Sequence, residues 1–451
     1  MVAVTEPLAR FVSESRWEDI PDAVRHEAKR SLLNYFAVAL GGCTDPTIAK
    51  AAEVMRRFRA NEIATVIGRN ERTDVLNAAA LNAMSANVYD FDDTHIPTII
   101  HPTAPVASAL LALAQTTLQQ PMSGAQWLHA FVLGVEVECR IGNAISPGHY
   151  NRGWHITSTC GVFGAAAAAG RALGLTPRRM AWAFGNAAAQ ASGLVETLGT
   201  MAKSMSVGNA ARNGLLSALL AEADFDGPVA PLEGVRGFLN VTGDNPDFAS
   251  LTEGLGQHWE LTKNTYKPYP CGVVLNPVID ACLALHADAA LALPQITRIE
   301  LVGHPLLRQR TDRPGVRTGR ESQVSAQHAV PIALTTGRAG LEEFSDTAVA
   351  QPSVQALGRK VCFTDDASLS IDAARVIITQ TGGQKLTAAI DFARGSLSKP
   401  LTEREIEEKL RALCRYGRSG CEPEPLIDAV WGLDGVADVS LLMNLAQGGV
   451  R

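Results

Sequence analysis

The segment from Asp90 to His101 contains three aspartates and two histidines. Each aspartate taken singly is typical of a solvated loop or a helix N-cap. Aspartate and histidine also bind metal ions, but no further Cys, His or Asp cluster in the sequence has the spacing of a metal site, so we expect none. The functional interpretation is a polar wall of an active site, in which Asp90 and Thr94 hydrogen-bond a ligand and His101 faces it.

A second histidine segment is GHYNRGWHITST, residues 148–159, in which His155 immediately precedes a predicted helix. A helix N-terminus carries partial positive charge and N–H groups without intrahelical partners, which attract anions. The same potential favours a neutral imidazole that can accept a proton. For this segment alone, a capping or packing histidine is an equally good interpretation.

Two lysines, Lys203 and Lys267, are candidates to bind an anionic ligand, because a lysine that is buried needs an anionic partner. Lys203 is the only cation between Arg179 and Arg212. Such a lysine usually extends to the surface, but a buried one could pair with a substrate carboxylate. Lys267 lies in YKPYPC, residues 266–271, where helical sequence gives way to mixed sequence. Binding sites often form at such junctions, although an ordinary proline-containing linker is the alternative.

Together these segments offer histidines, lysines, an aspartate and a threonine. A neutral histidine can abstract or return a proton, and lysines can stabilise the enediolate dianion formed when a proton next to a carboxylate is removed. The sequence has no Gly-rich nucleotide loop after a strand, no HExxH and no GxSxG, which argues against a kinase, a zinc protease or an α/β-hydrolase. The residues therefore predict acid–base chemistry on a small anionic carboxylic acid.

Composition narrows the class of protein further. The 451 residues are too many for one ordinary core, and 46% hydrophobic with 19% charged residues is globular composition. The net charge is −6 without any long basic run, which argues against a nucleic-acid partner. The eight cysteines form no CxxC pair and are expected to be reduced and buried. No signal peptide and no run of about 20 apolar residues is seen, which predicts a cytoplasmic protein without a membrane partner.

The elements that must position these residues are mostly helical over the first 225 residues. Apolar residues recur at helical spacing from Asp22 to Leu40, Ser123 to Gln126 forms a capping box, and Thr176-Pro177 starts another helix. Small residues dominate several of these helices, as in AAAAAGRAL and GNAARNGLLSALLA. Small side chains let helices approach closely, so a compact helical domain is expected.

The pattern changes after residue 268. Residues 296–302, 375–379 and 386–392 are rich in β-branched and apolar residues, and Gly382-Gly383 between the last two runs predicts a hairpin. A capping box at Thr402 to Glu405 begins another helical region. We therefore predict a mainly α protein, with a large helical domain over 1–268 and 398–451 and a smaller α+β domain over 269–397.

Five segments, in order along the chain, resemble the MmgE/PrpD family, which includes 2-methylcitrate dehydratases, cis-aconitate decarboxylase and iminodisuccinate epimerase. They are DFDDTHIPTIIHP (90–102), GWHITSTCGVFGAAAAA (153–169), GTMAKSMSVGNAARNG (199–214), YKPYPC (266–271) and ARG followed by KPLTEREIEEKL (393–410). The resemblance implies an all-helical large domain, a smaller α+β lid domain, a homodimer, and no metal or cofactor. The family's site residues carry over to Asp90, Thr94, His101, His155, Lys203 and Lys267.

The sequence departs from the family pattern in three places. Members often have aspartate where Asn34 stands, and many have histidine near Leu275-Asn276-Pro277. The loop between Thr94 and His101 is one residue longer than in some relatives. Loss of the histidine bears on which group delivers a proton, and so on the reaction outcome rather than the fold.

Three hypotheses follow for function. The first is a metal-independent carbon–oxygen lyase of the 2-methylcitrate dehydratase type, with His155 or His101 as the base and Lys203 and Lys267 holding carboxylates. The alternative is an epimerase of a dicarboxylate such as iminodisuccinate, or a decarboxylase of a cis-aconitate-like acid. A non-catalytic binding protein on the same fold is the third.

Overall fold

The computed structural model describes residues 3–58, 61–116 and 120–449, and the chain divides into two compact units. The first unit comprises Met1–Val88, Asp92–Asn264 and Glu403–Arg451, and the second comprises Tyr89–Phe91 and Thr265–Thr402. The predicted fold class, mainly α with a smaller α+β part, is confirmed. Residues 89–91, 265–268 and 398–402, which the sequence prediction assigned to the helical domain, belong to the second unit because their contacts lie there.

The first unit is built from helices with three short strands. Its strands β1 and β2 form an antiparallel pair. The helices are α1 (Thr5–Glu14), α2 (Asp22–Gly42), α3 (Pro46–Arg56), α4 (Val75–Asn87), α5 (Thr103–Leu113), α6 (Gly124–Ile145), α7 (Gly148–Asn151), α8 (Ile156–Ala172), α9 (Pro177–Ala188), α10 (Met201–Glu222), α11 (Phe238–Thr242), α18 (Glu403–Gly417), α19 (Pro423–Trp431) and α20 (Leu441–Leu445), and the strands are β1 (Ala64–Val66), β2 (Glu71–Thr73) and β3 (Asp93–His95).

Side-chain caps fix where several of these helices begin. The Ser123 hydroxyl accepts a hydrogen bond from the Gln126 backbone N–H, and the Gln126 side chain accepts from the Ser123 backbone, so the predicted capping box of α6 is confirmed. Thr176 caps α9 with Pro177 at its first position, also as predicted. Thr200 caps α10 by accepting from the Ala202 N–H. Each such cap stabilises a helix start by about 1 kcal/mol.

Helix α8 lies at the centre of the first unit, with α6 and α10 packed against it. Its residues 156–170 are all buried. A Cβ added to Gly214 of α10 would lie 2.6 Å from the Val162 carbonyl oxygen and 2.5 Å from the Ala165 Cβ, so only glycine allows this approach. The abundance of small residues in the sequence therefore reflects close helix packing around α8.

The second unit is an α+β structure with one four-stranded sheet in the order β6-β5-β7-β8. Strand β5 pairs parallel with β6 and antiparallel with β7, and β7 pairs antiparallel with β8. Strand β4 lies at the chain boundary between the two units. The elements are β4 (Asn264–Tyr266), α12 (Asn276–His286), β5 (Ile296–Gly303), α13 (Pro305–Thr311), α14 (Gly319–Ser322), α15 (Ala326–Thr336), α16 (Asp346–Val349), α17 (Pro352–Gly358), β6 (Val361–Asp365), β7 (Ala374–Gln380) and β8 (Lys385–Ile390).

The predicted hairpin joins β7 to β8. Gly382 and Gly383 both have positive φ, at 88° and 86°, in the connecting turn, which explains the pair of glycines. Alternate residues of β7 are buried, and Val376 and Ile378 join the same core as Ile279 of α12. Among the described residues, no helix is both long and apolar enough to cross a membrane.

Candidate functional site

The loop after β3 is held by its own histidine. His95 contacts the Thr98 hydroxyl through Nδ1 at 2.7 Å and the Glu260 carboxylate through Nε2 at 2.9 Å. Burial raises the pKa of Glu260, but hydrogen bonds from His95 and Lys263 outweigh it and lower that pKa to about 2. Both ring nitrogens of His95 are thus used to hold the loop. The first of the two histidines in the motif is structural.

Backbone hydrogen bonds within this loop join its first and last residues, just before His101. The Ile99 N–H donates to the His95 carbonyl oxygen at 2.8 Å, and the His95 N–H donates to that of Ile100 at 2.8 Å. Ile99 has φ of 59°, a left-handed conformation that costs a β-branched residue about 1–3 kcal/mol. The hydrogen bonds of the loop hold Ile99 in this strained conformation, two residues before His101.

His101 is oriented by the main chain. Its Nδ1 lies 2.6 Å from the Asp93 carbonyl oxygen, and because a carbonyl only accepts, Nδ1 carries the proton. The Thr94 hydroxyl lies farther from Nδ1, at 3.3 Å, and the Asp92 carboxylate lies at 3.7 Å. The His101 backbone N–H donates to the Thr157 hydroxyl at 3.1 Å, which ties His101 to the start of α8.

The Asp93 side chain lies in a buried polar cluster. Its Oδ2 accepts from the Thr103 hydroxyl at 2.5 Å and from the Asn264 amide at 2.6 Å. Burial raises the pKa of Asp93 to about 6 against these two hydrogen bonds, and the neighbouring Asp92 raises it further. Burial and the charge of Asp93 also raise the pKa of Glu138 well above its usual range. Burial therefore shifts both carboxyl groups, Asp93 and Glu138, toward the neutral form relative to an exposed carboxylate.

His155 is the N-cap residue of α8 and is buried, with 3% of its surface exposed. Its Nδ1 lies 2.7 Å from the Ser158 hydroxyl oxygen, and its backbone N–H donates to the Gly193 carbonyl oxygen at 3.0 Å. Gly193 has φ of 138°, and a Cβ added there would lie 2.7 Å from the Ser158 Cβ. A glycine is needed at 193 for the pairing of His155 with Ser158.

Lys203 lies in the first turn of α10 and is buried, with 8% of its surface exposed. The partial positive charge of the helix N-terminus and the buried ammonium together favour an anion brought to this position. The Lys203 carbonyl oxygen accepts from the Ser206 hydroxyl at 2.8 Å, and the Ser206 hydroxyl lies 2.7 Å from that of Ser158. Two serines thus connect the start of α10 to His155.

In the second unit, the buried Lys267 forms an ion pair with the partly exposed Asp90. The Lys267 Nζ donates to the Asp90 carbonyl oxygen at 2.7 Å and lies 3.1 Å from its carboxylate. Lys267 is 3% exposed, and Asp90 has φ of 51°. The sequence prediction gave the two residues separate roles, and the structure shows that the charge of each is also matched to the other.

The predicted residues are therefore distributed over both units. Thr94, His101, His155 and Lys203 belong to the first unit, where the start of α8 links the two histidines. Asp90 and Lys267 belong to the second unit and contact each other.

Sequence reasoning missed Ser158 and Ser206. The available signal was position: each serine stands three residues after a predicted site residue, His155 or Lys203, within one helical turn of it. It also quoted His149 without a role. His149 is fully buried and hydrogen-bonded at both ring nitrogens, to the Thr242 carbonyl and the Thr159 hydroxyl. Burial lowers its pKa to about 4.

Two of the three departures from the family pattern, Asn34 and Asn276, lie at defined contacts in the structure. Asn34 is fully buried in α2, and its Oδ1 accepts from the buried Lys409 ammonium at 2.8 Å. Asn276 begins α12 and lies near the Cys271 thiol. An amide at position 34 therefore serves packing between α2 and α18.

The fold and these side chains define a mainly helical protein in which two buried histidines, His101 and His155, both lie at the start of α8. The chain belongs to the MmgE/PrpD family: residues 6–251 match the MmgE/PrpD N-terminal domain and residues 269–433 match the MmgE/PrpD C-terminal domain.

Curated relatives match over almost the whole chain. The cis-aconitate decarboxylase of Aspergillus terreus is 28% identical over 471 residues, covering 98% of this chain and 95% of the relative. The cis-aconitate decarboxylase-like protein oryM of Aspergillus oryzae is 29% identical and covers 99% and 97%. The human cis-aconitate decarboxylase is 28% identical and covers 99% and 95%.

Proposed function

We propose that this protein is a lyase that acts on a small di- or tricarboxylic acid by proton transfer at a carbon next to a carboxylate. The observation that carries the proposal is the pair of buried histidines, His101 and His155, both tied to the start of α8. Lysines at the predicted positions suit a substrate with several carboxylates. Membership of a family whose curated relatives here are named cis-aconitate decarboxylases supports the same class.

The tautomer of His101 determines what it can do. Its Nδ1 proton is donated to the Asp93 carbonyl oxygen, so the lone pair of the neutral ring is on Nε2. Nε2 can accept a proton as a base, and the resulting imidazolium can return it from the same nitrogen. The backbone contact holds the ring in one orientation through both steps.

Lys203 supplies charge in the same unit. An ammonium in the first turn of the long helix α10 adds its charge to the partial positive charge of the helix start. A substrate carboxylate bound there would keep its negative charge, and negative charge developing on the adjacent carbon would be stabilised.

We take cis-aconitate as the first substrate to test, because of the relatives named above. In its decarboxylation one carboxylate leaves as carbon dioxide and its electron pair forms a new carbon–carbon double bond. The former double bond then takes a proton from an imidazolium at the carbon next to another carboxylate. A dehydration of the 2-methylcitrate type uses the same groups in the other order: a base removes the proton and hydroxide leaves with an added proton.

One experiment separates these reactions. The protein is incubated in heavy water with cis-aconitate, citrate-like acids and aspartate-derived acids, and products are followed by NMR. Release of carbon dioxide with one deuterium in the product indicates a decarboxylase, and an alkene with loss of water indicates a dehydratase. Deuterium incorporation with inversion and no alkene indicates an epimerase. Absence of exchange with every acid contradicts the proposal and favours a binding protein.

Lys203→Ala tests the site itself. It should abolish turnover, because the substrate carboxylate loses its cation, and it should leave the thermal unfolding midpoint within a few degrees of that of the parent. Lys50→Ala, an exposed lysine of α3, is the matched control and should retain full activity. A large loss of stability in Lys203→Ala would mean that the lysine is structural. The homodimer implied by the family resemblance and the cytoplasmic location predicted from the sequence stay predictions.

A further inference from the structure

The hydroxyl of Ser206 can donate its hydrogen bond to only one of its neighbours. Ser206 Oγ lies 2.8 Å from the Lys203 carbonyl oxygen, and since a carbonyl oxygen accepts only, Ser206 donates its single proton there. This is the common back-bond of a helical serine to the preceding turn. Any other hydrogen bond of Ser206 Oγ must therefore be one that it accepts.

The direction of the Ser206 hydrogen bond also fixes which hydrogen bonds Ser158 donates and accepts. The two hydroxyl oxygens are 2.7 Å apart, so Ser158 donates its proton to Ser206. Ser158 Oγ also lies 2.7 Å from Nδ1 of His155. With its proton already given, Ser158 can only accept from Nδ1. The longer contact of 3.5 Å between Ser206 Oγ and Nδ1 agrees, because Ser206 can only accept there too.

We propose that Ser158 and Ser206 are positioning residues that form a hydroxyl relay, anchored on the Lys203 carbonyl, which fixes His155 in the Nδ1–H tautomer. The lone pair of the neutral ring then lies on Nε2. The relay gives His155 the same tautomer as His101, by a different route. Its consequence for turnover rests on the proposed function, and the tautomer itself does not.

The fold around the relay is consistent with a dedicated arrangement. Ser158 is 1% exposed in the first turn of α8, and its Cβ occupies space that Gly193 leaves open, because a Cβ added to Gly193 would lie 2.7 Å from the Ser158 Cβ. The relay joins two helices, α8 and α10, so the ring orientation follows the relative position of their N-termini. A serine that merely packed would not need its oxygen within 2.7 Å of two partners.

The test uses the full chain labelled with ¹⁵N-histidine, without substrate. Long-range ¹H–¹⁵N spectra distinguish a protonated from an unprotonated ring nitrogen, and the His155 signals are those missing in His155→Gln. Above the titration range we expect Nδ1 protonated and Nε2 unprotonated. In Ser206→Ala the Ser158 proton is released to donate to Nδ1, so the Nε2–H tautomer should become populated. Ser206→Thr keeps a hydroxyl and should restore the original spectrum.

Kinetics give the second readout. Ser206→Ala should lower kcat about tenfold, equivalent to one lost hydrogen bond, with KM within about twofold of the parent. Ser204→Ala is the matched control, because Ser204 is buried on the same helix and its hydroxyl has no hydrogen-bond partner in the described residues. It should change neither the tautomer nor kcat.

Two results would overturn the relay. One is a parent spectrum with His155 protonated at Nε2, and the other is an unchanged tautomer in both Ser206→Ala and Ser158→Ala. Alanine is the best helix former, so both variants should fold. If the spectra follow the expectation and no acid is turned over, the relay stands and the proposed function fails.

Discussion

His101 and His155 are held through the same nitrogen by different kinds of group. The Nδ1 of His101 donates to a backbone carbonyl, that of Asp93, at 2.6 Å. The Nδ1 of His155 contacts a serine hydroxyl, which could donate or accept and has its direction set by a second serine. A backbone carbonyl oxygen is present whatever the side chain is, and it can only accept a hydrogen bond, so side-chain substitutions leave it in place unless they move the backbone. The His155 side should therefore be sensitive to side-chain mutations that the His101 side resists.

Removing either ring is the largest perturbation. His101→Gln and His155→Gln should each lower kcat by about 10²- to 10⁴-fold, the range over which a positioned acid or base contributes. Product formation from cis-aconitate, with thermal unfolding measured in parallel, checks this. If either variant keeps more than about a tenth of the parent kcat, that histidine does not transfer the proton. Only the other histidine would then be a catalytic group.

Asp93→Asn keeps the carbonyl that holds His101 and removes the buried charge. Both donors contact Oδ2, so an asparagine oxygen can accept from Thr103 and Asn264 alike. Because burial raises the pKa of Asp93 from 3.8 to about 6, the folded parent binds the proton more tightly than the unfolded chain. The parent thus loses stability as pH rises from about 4 to 6.

Relative to the parent, Asp93→Asn should gain about 3 kcal/mol of unfolding free energy between pH 4 and pH 7. Urea unfolding of both proteins across this range measures the difference. A stability difference that does not vary with pH would contradict the raised pKa. The variant should keep kcat within about threefold, and a larger loss would mean that the carboxyl group itself, and not only the carbonyl, supports His101.

Gly193→Ala acts on the His155 side. Its φ of 138° and the 2.7 Å approach to the Ser158 Cβ should together cost about 1–3 kcal/mol and displace Ser158 from His155. Gly174→Ala, at the other end of α8, is the matched control: its φ is 68° and no atom lies within 4 Å of an added Cβ. The control should lose about 1 kcal/mol and no activity. If the two variants change kcat equally, Gly193 does not contribute to the positioning of His155.

Thr94→Val should have the smallest effect on a tautomer. The Thr94 hydroxyl is 3.3 Å from Nδ1 of His101, whereas the Asp93 carbonyl oxygen is at 2.6 Å. The ¹⁵N spectrum of His101 should therefore stay that of the Nδ1–H form, in contrast to His155 in Ser206→Ala. A shift of His101 toward the Nε2–H form would show that a side chain, and not the backbone, decides its tautomer.

Much of the fold was accessible from local sequence. The capping box of α6, the proline start of α9 and the glycine turn between β7 and β8 appear where the patterns predicted them, because each depends on residues within one turn. The division of the chain was less accessible. Residues 89–91 belong to the second unit although they follow α4 directly, since contacts with distant segments decide the membership of so short a piece.

The site shows the same limit. Sequence motifs named the two histidines and two lysines, but not that Lys267 contacts Asp90, 177 residues away, or that Ser158 contacts Ser206. They also did not separate His95, whose ring nitrogens hold a loop, from His101. Spacing identifies residue types that can do chemistry, and it does not say which of them the fold has already committed to hydrogen bonds.

The sequence by itself determined the family, the helix starts and the kinds of groups offered to a ligand, because caps, turns and motifs are properties of neighbouring residues. Only the tertiary structure decided which nitrogen of each histidine is protonated. A buried polar atom must find its partner among whatever segments the fold brings to it, and those partners, the Asp93 carbonyl for His101 and the serine pair for His155, fix the protons.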